Sequence, residues 1–151
     1  MLLLVGRVLS DESLNIKLHI DPSDHLTNSH VSELTNHARV DIGKIQYEPE
    51  KELAVIPLSR FRVIGGRRLL GVGEYRRDDS PILSRAIIRN IKKAEINTSD
   101  ACVGLKEITL IFGITIKKNE ISFGSAEEAT GRHCFNAAFY GESLILEIED
   151  V

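Results

Sequence analysis

Three groups of side chains in this 151-residue chain have types, and in part a spacing, that chemistry could use. The first is His30, Glu33 and His37. On a helix, Glu33 and His37 would share a face at i and i+4, with His30 one turn below. Two imidazoles and a carboxylate are a zinc-binding set. Yet this spacing belongs to no metal motif with a mechanism behind it, and polar surface helices often carry histidine, so no metal is assigned. The second is His133-Cys134. Neighbours on a strand point to opposite faces, so His133 cannot take a proton from Cys134, and a base would have to come from His19 or His37. The third is the stretch around Ser125. Phe123-Gly124-Ser125-Ala126 lacks the second glycine of a hydrolase elbow, and Glu127-Glu128 reads as a loop pair facing solvent. Gly71-Val72-Gly73 lacks the third glycine and the strand–helix setting of a dinucleotide fingerprint. No catalytic residue and no cofactor is assigned, and a non-enzymatic role is favoured.

The charge pattern is more informative. The net charge is −3, but it is unevenly placed. From Arg60 to Lys93 there are ten cations (Arg60, Arg62, Arg67, Arg68, Arg76, Arg77, Arg85, Arg89, Lys92, Lys93) against Glu74, Asp78 and Asp79, so this segment is +7 and the remainder −10. Eight of the ten are arginine, whose planar fork suits carboxylates and phosphates. Three readings follow. The arginines could solvate one face and pair with the chain's own acids. They could meet the acidic part of a second copy or another protein. Or they could hold nucleic acid or another polyanion through phosphate contacts. The acidic net charge weakens the last reading, and so does the shortage of rings for base stacking, since only Phe61 and Tyr75 lie nearby.

These residues need elements to position them. The length fits one domain, read as 1–151, large enough to fold without a disulfide or metal. Trp is absent and aromatic residues are 5%, so the core must rest on Ile, Leu and Val. Cys102 and Cys134 lie far apart with no paired-cysteine motif and read as two thiols. No apolar run reaches transmembrane length, and the first residues lack the parts of a signal peptide, which makes the cytoplasm the expected location and a membrane role unexpected.

Two-residue alternation dominates the chain. Leu14 to Ile20 alternates, and Leu2–Leu9 could pair with it across Ser10–Ser13. Asp21 to Ala38 breaks the pattern. There Pro22-Ser23-Asp24 can cap a short helix with Val31, Leu34 and Ala38 on one stripe. Strands resume at Val40, with Gly43 as a bulge, a turn at Glu48–Lys51 and a return strand Leu53–Leu58 in which Pro57 suggests an edge or an irregular end. Phe61–Ile64 and Arg67–Val72 read as a hairpin turning at Gly65-Gly66, with Arg67 and Arg68 at its tip. Ser80–Ile96 suits a helix capped by Ser80 or an Ile-rich strand, and its β neighbours favour the strand. Ile108 to Ile116 alternates without a break and reads as one central strand. Lys118-Asn119 is a turn, Ile121–Phe123 returns, and His133–Tyr140 and Leu144–Ile148 are two further strands. The expectation is a mainly β fold (sandwich, barrel or rolled antiparallel sheet) with one or two short helices, or alternatively α+β.

Overall fold

The computed structural model describes residues 15–66, 75–99, 107–110, 113–126 and 133–151. Two antiparallel sheets face each other across one core. The larger contains β1 (Asn15–His19), β11 (Ile145–Asp150), β5 (Tyr75–Arg89), β4 (Leu53–Gly66), β2 (Arg39–Asp41) and β7 (Glu107–Thr109) in that spatial order, with β3 (Gln46–Glu48) also paired to β4. The smaller runs β6 (Lys93–Thr98), β10 (His133–Tyr140), β9 (Glu120–Ala126), β8 (Thr115–Lys117). The fold is mainly β with one short helix. Both sheets are open, so it is not a barrel. The suggested pairing of Leu2–Leu9 lies outside the described residues.

The core forms because alternate residues of each strand share a face. Ala54, Ile56 and Leu58 of β4, Ala86 and Ile88 of β5, and Leu146 and Ile148 of β11 point inward. They meet Ile121 and Phe123 of β9 and Phe135, Ala137 and Phe139 of β10. Tyr47 of β3 crosses to Phe139 edge-on, with ring centroids 6.1 Å apart, and ties the two sheets together.

The single α-helix, α1 (His25–Thr35), starts where Asp24 Oδ1 accepts the Thr27 amide at 3.1 Å. The Asp21 carboxylate shapes the preceding turn by accepting from the Ser23 hydroxyl and amide, and these bonds hold its pKa below the ordinary value. Val31 and Leu34 are buried, as the stripe predicted. The helix ends before His37, which has a left-handed φ of 64°. Glu33 and His37 are therefore not on one helical face, and the supposed zinc set falls apart. Among the described residues no three His, Cys, Asp or Glu side chains gather in a way that could hold a metal.

Ser80–Ile96 is strand to Arg89, followed by a turn through Asn90 (φ 67°) that carries the chain into β6 of the other sheet. Glu48–Lys51 turns as expected, in a short 3-10 segment from Pro49 to Lys51.

Four expectations need correction. Gly43 is not a bulge but the centre of a 3-10 turn, Ile42–Lys44, whose amide donates to Asp41 Oδ1. Pro57 lies in an interior strand rather than an edge. It falls between the stretches where β2 and β3 pair with β4, a gap left by that same turn. Gly65-Gly66 is not a hairpin tip, because both residues are still in β4, opposite Arg76 and Tyr75. The Ile108–Ile116 run is not one central strand. Ile108, Leu110, Ile114 and Ile116 are all buried, but β7 and β8 are edge strands of different sheets. Alternation reports which residues face the core, and here the core lies between the sheets, so a chain that changes sheets keeps its period. Between them lies Gly113, where φ is +66°. A Cβ there would lie 2.4 Å from Ser32 O and from Thr35 Oγ1, so the close approach of the helix requires glycine. Thr35 Oγ1 fills the space, donating to Val31 O and accepting from the Ile114 amide, each at 2.8 Å.

Candidate interaction surface

The basic segment occupies β4, β5 and the entry to β6, and the fold divides it in two. Arg60 points into the core end of the large sheet and is only 4% exposed. Its Nε donates to Asp150 Oδ1 at 3.0 Å and to Ser84 Oγ at 3.2 Å, and a second guanidinium nitrogen reaches Asp150 Oδ2 at 2.7 Å. Ser84 donates to Asp150 Oδ1 at 2.6 Å. This bidentate cluster spans three adjacent strands, β4, β5 and β11.

Arg85 and Arg89 lie on the outward side of the large sheet. The register lines up Asn15, Glu149, Arg85 and Pro57 across β1, β11, β5 and β4. Next come Lys17, Glu147, Ile87 and Val55, then His19, Ile145, Arg89 and Leu53. Arg85 pairs with Glu149, and Arg89 Nε bonds Glu147 at 3.1 Å. Lys17 Nζ is 3.3 Å from Glu147. Burial pushes the Glu147 carboxyl up, but the bonds from Arg89 and Lys17 more than reverse this and hold it below the ordinary glutamate range. Lys92 pairs with Glu52, and Lys93 lies 2.9 Å from Glu95. Within the folded body, then, the named cations already face the chain's own acids. Sequence reasoning named these arginines but missed Glu147, Glu149 and Asp150 as their partners. The available signal was a strand with Glu147 and Glu149 two apart and a strand with Arg85 and Arg89 four apart, each pair on one face.

The remaining arginines belong to a different structure. β2 pairs with β4 only as far as Ser59, and β11 pairs with β5 only as far as Ser84. Beyond those points β4 and β5 continue as partners of one another, Arg60↔Ile82, Phe61↔Pro81, Val63↔Arg77, Gly65↔Arg76 and Gly66↔Tyr75. The seven β4 residues from Arg60 to Gly66 extend this arm, two-stranded among the described residues, by about 20 Å. Two register shifts flank Val63, and bulges of this kind bend and twist a ribbon. Arg62, Arg76 and Arg77 lie on the arm, while Arg67, Arg68, Gly71 and Gly73 lie outside the described residues.

The candidate chemistry fares differently. Cys134 is buried but disulfide-bonded, so it is neither the thiol expected from the sequence nor a free nucleophile. Cys102 and Glu127-Glu128 lie outside the described residues. Where the turns at Asn90, Asn119 and Gly141 converge, Lys118, Glu120, Tyr140 and Glu142 line an open cleft of about 660 Å³. Burial, reinforced by Glu120 and Glu95, keeps the Tyr140 phenol protonated beyond its usual range. No helix among the described residues is long and apolar enough to cross a membrane. No protein-family model, curated protein or solved structure matches the chain.

Proposed function

We propose that this protein is a non-enzymatic interaction module that associates with itself, or with another protein, through the β4–β5 arm. The observation that carries this reading is the arm's lack of a third strand among the described residues. A two-stranded ribbon is marginally stable alone in water, so a long one is best explained by a surface that receives it. The charge division adds support. The arginines of the body are matched by internal acids, whereas the arm and its connection carry Arg62, Arg67, Arg68, Arg76 and Arg77 against three acids. A polyanion is the second reading. A two-stranded ribbon fits the major groove of a nucleic-acid duplex, and these arginines could contact its phosphates. As to location, a standing disulfide at Cys134 favours an oxidising compartment over the cytoplasm expected from a thiol reading.

Because Phe61 and Pro81 are directly opposed, residues 62–80 can be replaced by Asn-Gly to close the hairpin there. Size-exclusion chromatography with light scattering should show the full chain above its 16.8 kDa monomer mass and the trimmed chain at its own monomer mass, with a folded β-type circular dichroism spectrum reduced only by the strand residues removed. Equal masses for the two would end the arm reading. An absorbance peak near 260 nm that leaves at high salt, and is missing from the trimmed chain, would favour the polyanion.

A further inference from the structure

The smaller sheet ends in an edge whose hydrogen-bonding groups are laid out for another strand. β6 pairs with β10 on one side and, among the described residues, with nothing on the other. The Ser99 amide donates to Cys134 O at 2.9 Å and the Lys92 amide to Tyr140 O at 2.7 Å. The even-numbered residues of β10 therefore turn their backbone toward β6, and by the register their partners are Lys93, Glu95 and Asn97. The amides and carbonyls of the intervening Ala94, Ile96 and Thr98 point to the open edge. Natural edges are usually blunted by short strands, bulges, proline or charges turned toward the core. β7 and β8 are edges of three residues each. β6 has six residues, no proline and an unshifted register with β10. Its two charges, Lys93 and Glu95, lie on the face opposite to Ile96 and pair with each other at 2.9 Å. On the core side, across from the buried Ala137, Ile96 is left 42% exposed.

We propose that β6 pairs antiparallel with β6 of a second copy, about a two-fold axis at Ile96, so that the two smaller sheets become one. Outward-facing residues must oppose outward-facing residues, which leaves few registers open. With the axis at Ile96, Ala94 opposes Thr98 of the other copy, and every outward amide and carbonyl of these three residues has a partner. The two Ile96 side chains meet, Glu95 opposes Asn97, and no like charges face each other. An axis at Glu95 would set the two Glu95 carboxylates against one another, and an axis at Asn97 would leave Ala94 beyond the end of the partner strand. The strand thus meets its own copy without a charge clash and without an open group. One strand pair is smaller than a stable interface, so the dimer is weak, fills at high protein concentration and is diluted out on a sizing column. It takes the second copy from the self-association half of the functional reading but uses no residue of the arm.

The test is cysteine cross-linking of the full chain at high concentration. Glu95 of one copy and Asn97 of the other would form a non-hydrogen-bonded pair with Cα atoms about 4.5 Å apart, within disulfide reach, whereas like positions would lie about 7–8 Å apart. Under mild oxidation, an equimolar mixture of Glu95→Cys and Asn97→Cys chains should form a covalent dimer about tenfold faster than either variant alone. Thr98→Pro, added to both, removes an outward amide that no bond within the described residues uses. It should slow the cross-link by about tenfold and leave the urea melt unchanged. A mixture that cross-links no faster than the single variants would overturn the proposal, and so would a cross-link indifferent to Thr98→Pro. A full chain that stays monomeric in sedimentation velocity at its highest soluble concentration would overturn it too, and would leave this edge to an extended peptide of another protein. Trimming the arm does not touch β6. Register-specific cross-linking with no effect of trimming on mass upholds this contact and ends the arm reading. A mass that falls on trimming, with no register-specific cross-link, does the reverse.

Discussion

Replacing Asp150 with asparagine tests whether the buried arginine cluster is a structural joint. Arg60 and the Asp150 side chain are 4% and 9% exposed, so neither charge is well served by water if the other is removed. Breaking a buried ion pair from one side typically costs about 3–5 kcal/mol, because it leaves the other charge uncompensated. Asparagine keeps one acceptor for the guanidinium and can still accept from Ser84, so about 3 kcal/mol is expected. Against a total stability of roughly 5–15 kcal/mol this is a large fraction. With a slope of about 2 kcal/mol per molar urea, the denaturation midpoint should fall by about 1.5 M at fixed chain concentration. Arg60→Met with Asp150→Leu removes both charges while keeping apolar bulk, and it should recover most of the loss. A double-mutant cycle on Arg60 and Asp150 then isolates their coupling. A loss below about 1 kcal/mol in Asp150→Asn would refute the reasoning, as would a double variant no more stable than either single one. Either result would mean that the pair is solvated in solution despite its buried geometry.

Two further outcomes follow from the same structure. Gly113→Ala forces a positive φ and a Cβ contact with Ser32 O, and should cost about 3 kcal/mol or more, lowering Tm by about 6–12 °C in a calorimetric scan. A Tm within two degrees of the parent, roughly the shift of 1 kcal/mol or less, would show that the helix can move away from the switch. Glu147 has a folded pKa held below its unfolded value, so its contribution is present above the ordinary glutamate range and is lost as pH falls through the folded pKa. Glu147→Gln should therefore flatten the acid limb of stability against pH, by less than about 1 kcal/mol because the pair is partly solvated, and urea melts at a series of pH values will show it.

The sequence made the fold class legible because alternation is a direct record of burial, and nearly every strand of the last third kept its period. It did not reveal sheet membership. Ile108 to Ile116 looks like one strand because both sheets face the same core, and among the described residues the break shows as the positive φ and crowding at Gly113. The helix boundary was missed for a related reason. Apolar spacing continued to Ala38, which is buried, although the helix had ended at Thr35. The Gly65-Gly66 turn failed because two glycines permit a tight turn without requiring one, and here the strand runs on past both.

The candidate site was legible only as composition. Ten cations in one segment could be counted, but their availability depended on which strand lay next to β5. Once β11 takes that place, Glu147, Glu149 and Asp150 meet Arg89, Arg85 and Arg60, and a single basic patch becomes a set of paired arginines in the body and a separate stretch beyond it with five arginines against three acids. The +7 segment and the −10 remainder are thus largely reconciled inside one chain. What is left to explain by partners is the residue of that matching: an arm with no third strand among the described residues, and Leu83 and Val151, which are exposed side by side at its base.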